Sequence, residues 1–163
     1  MTSRRPTALM NNSGLAICKP IEDEGETIDS RAMELIYERT KGYPFFLQEW
    51  GYSTWNIAQN SPIKFSDANH ASLDALRRLD GGFFKVRIDR LTSAEFDYVR
   101  AMAQLGQGPY KSSDVAKKLN KENSQLGPRR AQLIRKGMIY SPSYGDVDFT
   151  VPMFDDFVRR KIG

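Results

Sequence analysis

At 163 residues and 18.6 kDa, the chain has room for one ordinary domain or two small ones, and is too short for a nucleotide hydrolase with an added regulatory domain. Apolar residues make up 40% and charged residues 27% of it, a globular composition that excludes a disordered tail. A single cysteine, Cys18, and a single histidine, His70, exclude an internal disulfide and leave no ligand cluster for a structural zinc.

The net charge of +4 is local. Residues 1–90 carry 12 basic and 12 acidic side chains, whereas residues 91–163 carry 12 and 8, so the whole excess lies in the second part. Within residues 111–136, eight basic residues face only Asp114 and Glu122, an anion-binding signature in one segment. No apolar run approaches the roughly 20 residues that cross a bilayer. Met1-Thr2-Ser3-Arg4-Arg5-Pro6 leads into no apolar stretch that would serve as a signal. The expected location is cytoplasmic, without membrane contact.

In chain order, residues 1–14 have no apolar period and many turn formers and are expected to be loose. Glu22-Asp23-Glu24-Gly25-Glu26 reads as a solvated acidic turn. Thr27-Ile28-Asp29-Ser30 then offers a capping side chain to a helix with Ala32, Leu35, Ile36 and Arg39 in register, ending at Gly42. Gly42-Tyr43-Pro44 closes that helix and opens another over 45–58, whose Phe46, Leu47, Trp50, Trp55 and Ile57 predict a largely buried helix. After Ser61-Pro62 a further helix is predicted over 66–79 with Leu73, Leu76 and Leu79 inward, and His70 on it is read as an ordinary surface or packing residue. Residues 83–88 suit a short strand or one linking helical turn.

From residue 91 the pattern changes. Thr92-Ser93-Ala94-Glu95 is a capping box opening a helix with Phe96, Val99, Met102, Ala103 and Leu105 on one face. Ser112-Ser113-Asp114 caps a short second helix with Val115, Ala116 and Leu119 inward. A third is predicted over 124–136, with Leu126, Ala131, Leu133 and Ile134 as its apolar positions. Residues 137–151 read as strand, tight turn, strand, and a last helix over 153–160 packs Phe154, Phe157 and Val158 back onto the domain. Three helices followed by a β-hairpin is the order of a winged helix-turn-helix.

In such a unit the helix over 124–136 enters the major groove, so Ser124, Gln125, Arg129, Arg130, Gln132 and Arg135 become the predicted DNA contacts, together with Asn123. Gln and Arg make bidentate contacts to adenine and guanine edges. Tyr144 at the hairpin tip, with Lys111, Lys117 and Lys118, is placed to hold the backbone. Asp146 and Asp148 weigh against the hairpin as a strong phosphate binder, and docking on protein is the alternative role for the same unit. No phosphate loop or Gly-Lys pair occurs, and Asp155-Asp156 reads as a helix-start acidic pair. Phosphoryl transfer by this chain alone is therefore not expected, and no catalytic or metal-binding residue is assigned.

Thr40-Lys41-Gly42-Tyr43-Pro44-Phe45-Phe46-Leu47-Gln48-Glu49-Trp50-Gly51 resembles the lid of prokaryotic AAA-type ATPases of the origin-recognition and STAND-related group, in which a Thr-Gly-Gly-Tyr-Pro-type turn joins two lid helices. Residues 84–92 and 137–142 resemble the linker and winged helix that follow that lid. The resemblance implies a mainly α chain: an unmatched start over 1–14, a helical lid over 15–62, a linker helix region over 63–90, and a winged helix-turn-helix with a small hairpin over 91–163. It also implies that Gly42, Tyr43 and Pro44 approach the adenine of a bound nucleotide. The core that holds ATP and magnesium has no counterpart here, and Lys41 stands where the family has Gly. The expected relation is a C-terminal part of such a protein, with double-stranded DNA as partner, or alternatively a separate ATPase core or self-association through the lid.

Overall fold

The computed structural model describes residues 11–162, and the side chains of residues 14–161. The chain is mainly helical with one small antiparallel sheet, and it divides into two compact units, Met1–Gly81 and Gly82–Gly163. Among the described residues no helix is long and apolar enough to cross a membrane.

The first unit opens with α1 (Asn11–Asp23). The expectation of a loose start lies outside the described residues for 1–10, and from Asn11 it is corrected: the chain there is helical. Ile17 and Ile21, one turn apart, are buried as α1 packs on α3 (Pro44–Ile57). A Cβ at Gly51 would stand in ordinary van der Waals contact with Ile17, 3.6 Å from its Cγ1. Pro20 inside α1 and the turn formers before Gly14 hide this two-residue signal in the sequence.

α2 (Ser30–Thr40) starts at Asp29, whose carboxylate accepts the Arg31 N–H at 2.9 Å. Lys41 and Gly42 both turn left-handed, with φ of 53° and 73°, and Pro44 begins α3 in the first helical turn, where its missing N–H costs nothing. α4 (Phe65–Leu79) packs across α2 and α3. Its buried stripe is Ala68, Ala71, Ala75 and Leu79, whereas Leu73 is exposed and Leu76 half-buried, which corrects the leucine face predicted for this helix. Small side chains let α3 approach closely enough for Trp50 Nε1 to donate to Ser72 Oγ at 3.0 Å and Ser53 Oγ to Asp74 Oδ2 at 3.1 Å. The predicted burial of α3 holds for Phe46, Leu47 and Trp50 but not for Trp55 and Ile57, and Phe45 and Tyr52 are exposed as well, because α3 offers more apolar surface than its three neighbours cover. α4 thus belongs to the first unit, and the segment 63–90 expected as a linker is divided between the two.

A π-helical turn (Asp80–Phe84) and α5 (Lys85–Ile88) carry the chain into the second unit. α6 (Ser93–Gln104) is opened by the predicted box: Thr92 Oγ1 accepts the Glu95 N–H, and Glu95 Oε2 accepts the Thr92 N–H at 2.8 Å. Val99, Met102 and Ala103 are buried as predicted, joined by Glu95, Tyr98 and Ala101, whereas Leu105 is exposed and Phe96 half-buried. Then follow β1 (Tyr110–Lys111), α7 (Ser112–Lys118), a 3-10 turn (Asn123–Leu126), α8 (Gly127–Arg135), β2 (Ile139–Tyr140), β3 (Asp146–Phe149) and α9 (Phe154–Ile162). The sheet order is β1-β3-β2, antiparallel throughout, with Tyr110 opposite Val147 and Ile139 opposite Phe149. β1, two residues long, has no pattern of its own in the sequence. The core joins Tyr98, Val99, Met102, Leu126, Leu133 and Ile139 to an aromatic group in which Phe84 stacks on Phe157 at 5.2 Å and meets Phe154 at 5.8 Å. The last helix packs Phe154, Phe157 and Val158 inward against α6 as expected.

Candidate nucleic-acid interface

The basic segment 111–136 folds into β1, α7, the 3-10 turn and α8. Gly127-Pro128 divides the single helix predicted over 124–136, because Pro cannot continue the preceding hydrogen-bond ladder but suits the first turn of a new helix. α8 then buries only Leu133; Ala131 and Ile134, expected as apolar core positions, are exposed. It is held at its ends. At the start, Arg130 Nη1 donates to Asn123 Oδ1 at 3.3 Å in the preceding 3-10 turn, itself capped by Glu122 N donating to Gln125 Oε1 at 3.0 Å. At the finish, Lys136 Nζ donates to Glu95 Oε2 at 2.7 Å and to the Arg90 carbonyl at 2.9 Å. Gly137, at φ 68°, then lets Met138 N return to the Leu133 carbonyl at 3.0 Å.

The predicted contacts are spread over α7, the 3-10 turn, α8 and the hairpin. Gln132 and Arg135 are exposed on α8, and Arg129 is half-buried beside them; these three share one groove with Lys136. Ser124 and Gln125 are exposed in the 3-10 turn, with Gln125 already engaged as a cap. Arg130 is half-buried over α6, where its guanidinium acts on the Tyr98 hydroxyl. Burial pushes that hydroxyl's pKa up, Arg130 pulls the other way, and the oxygen has no hydrogen-bond partner among the described residues. Lys117 and Lys118 are exposed in the last turn of α7, Lys117 at 3.5 Å from Asp114.

Lys111 differs from its expected role. Its ammonium lies 2.8 Å from Asp146 Oδ1 across the β1–β3 pair, so the hairpin carboxylate cancels it. The hydrogen bonds from Lys111 and from Ser143 hold the Asp146 carboxyl below its usual range. Ser112, predicted as part of a cap, is instead the first residue of α7 and donates both N–H and hydroxyl to the Gly145 carbonyl, at 2.9 and 2.8 Å. The hairpin supplies that acceptor, which no local pattern shows. Tyr144 stands fully exposed at the hairpin tip. Asp148 is half-buried, and burial with the nearby Asp155 raises its carboxyl. Asp155 and Asp156 both pair with Arg159, at 2.8 and 3.0 Å, in the first turn of α9.

In the first unit, Gly42, Tyr43 and Pro44 form the helix-to-helix turn. A Cβ at Gly42 would meet the Tyr37 ring at 2.9 Å. Tyr43 N donates to the Thr40 carbonyl at 3.0 Å, the Tyr43 carbonyl accepts the Leu47 N–H, and the Tyr43 ring packs 4.7 Å from Phe46. Joining α2 to α3 occupies the backbone groups of these three residues, and Lys41 beside them is exposed. Gly42, Tyr43 and Pro44 carry no carboxylate for magnesium and no charged side chain for a phosphate, so by themselves they do not fit ATP with its magnesium.

Residues 81–158 match the family described as "Domain of unknown function (DUF8462)", which spans nearly all of the second unit and a little under half of the chain. No curated protein matches the chain.

Proposed function

We propose that the second unit is a winged helix-turn-helix that binds double-stranded DNA, with α8 directed at the major groove and the β2–β3 hairpin as its wing. We further propose that the chain corresponds to the lid and winged-helix part of an AAA-type ATP-binding protein without its nucleotide core. Support comes from the order helix, strand, two helices, hairpin, closed by the β1-β3-β2 sheet, and from the α2–turn–α3 geometry of the first unit.

The observation that carries the DNA reading is α8. A nine-residue helix that buries one side chain and turns Gln132 and Arg135 to solvent, inside a segment with eight basic and two acidic residues, presents an amide that reads base edges and a guanidinium for the phosphate backbone. Docking on protein is favoured by a different observation: the exposed Ile134, Tyr140 and Tyr144, beside a hairpin with no Lys or Arg between residues 141 and 152.

Fluorescence anisotropy of a mixed-sequence duplex separates the two. The DNA reading expects a Kd tighter than about 10⁻⁴ M that weakens steeply with salt, and a loss of roughly tenfold or more in Gln132→Ala/Arg135→Ala. No binding at low salt by folded protein assigns the unit to protein docking.

A further inference from the structure

The start of α6 and one face of α8 enclose a groove of about 500 Å³. Thr92 and Glu95 line it from α6, and Arg129, Gln132, Arg135 and Lys136 from α8. The α8 residues recur at three- and four-residue intervals, so they share a face. Three cations therefore meet one carboxylate. Lys136 is already bound to Glu95 and to the Arg90 carbonyl; it is held in place and its charge is balanced. Arg129 and Arg135 have no hydrogen-bond or ion-pair partner among the described residues, and the groove holds no second carboxylate for them.

We propose that this groove seats one backbone phosphate of bound DNA. Arg129 and Arg135 donate to its non-bridging oxygens, and the Thr92 hydroxyl, whose oxygen accepts the Glu95 N–H, keeps its own proton to donate. The Lys136–Glu95 pair fixes the end of α8 against the start of α6 and so sets the width of the seat. Two unbalanced guanidiniums in one groove fit an anion, whereas a base edge is neutral. The inference rests on the DNA reading and deepens it: Arg129 and Arg135 position the duplex, and Gln132 is left to read sequence.

The test is anisotropy with the full chain and two duplexes of different sequence at about 50 and about 200 mM salt, for wild type, Arg129→Gln, Arg129→Lys and Arg135→Gln, with the melting temperature of each variant measured alongside. Each phosphate neutralised contributes about −0.9 to the logarithmic salt slope. Arg129→Gln and Arg135→Gln are expected to weaken binding alike on both duplexes and to shrink the loss between the two salt levels by about threefold each, while Arg129→Lys keeps the wild-type slope. Folded glutamine variants that keep the wild-type slope, or that change the ranking of the two duplexes, overturn the phosphate seat and leave DNA binding standing. Failure of the wild type to bind either duplex at low salt overturns both. Because Arg135 is exposed, its variant decides the matter even if Arg129→Gln proves unstable.

Discussion

α3 in the first unit and α8 in the second are held by different physics. α3 is anchored from its middle: Phe46, Leu47, Trp50, Ser53 and Thr54 are buried, and α1, α2 and α4 all pack on it. α8 buries Leu133 alone and is fixed by ties at its two ends, Asn123–Arg130 at one and Lys136–Glu95 at the other. A helix anchored along its length is a scaffold. One anchored at its ends keeps a whole side for a partner, and on α8 that side carries Gln132, Arg135 and Ile134.

The largest test of this contrast is Trp50→Ala. Trp50 is 1% exposed and its indole N–H is bonded to Ser72, so the truncation is expected to cost the first unit about 3–5 kcal/mol, read as a collapse of its chemical-denaturation midpoint. Leu133→Ala follows: with no other buried side chain on α8, the loss of about 3 kcal/mol is expected to free the helix and abolish duplex binding, measured by melting and anisotropy together. Retained binding with full stability would show that the end ties suffice without Leu133.

Glu95→Gln sharpens the comparison at a single tie. Burial works to raise the Glu95 carboxyl, but the hydrogen bond from Lys136 and those from Thr92 outweigh it and hold the group below its usual range. The folded form therefore favours the carboxylate. Its contribution is present above the ordinary glutamate range and is lost as pH falls through the lowered value. Urea midpoints taken from about pH 7 down to about pH 3 are expected to fall less steeply in Glu95→Gln than in wild type; equal slopes would remove the tie from the account. The smallest effect belongs to Gly42→Ala, where φ of 73° and the Tyr37 ring at 2.9 Å predict a loss of about 1 kcal/mol confined to the first unit, visible as a small shift in its melting midpoint.

Much of the local architecture was legible in the sequence: a cap within Thr27–Ser30, the Gly42–Pro44 turn, the Thr92–Glu95 box, the hairpin and the apolar face of α9. Each is encoded within a few neighbouring residues, since caps, left-handed turns and amphipathic faces depend on side chains one turn apart. Of the candidate interface, the residue types and the exposure of Gln132, Arg135 and Tyr144 were legible too. Their commitments were not. That Lys111 is cancelled by Asp146, that Gln125 serves as a cap, and that Ser112 bonds the hairpin are facts about which groups meet; the Lys111 and Ser112 partners lie more than 30 residues away.

The same reason divides the rest. Sequence by itself determined the helix boundaries that carry a local cap or turn, such as Gly42–Pro44 and Thr92–Glu95, and that the positive charge gathers in one segment, because these follow from local backbone chemistry and composition. Only tertiary structure decided that two-residue β1 completes a sheet, that three alanines with Leu79 alone among the leucines form the buried stripe of α4, and which face of α8 is left open. Pairing and burial are set by the competition of distant surfaces for one another, and a short apolar stretch carries no record of which competitor wins.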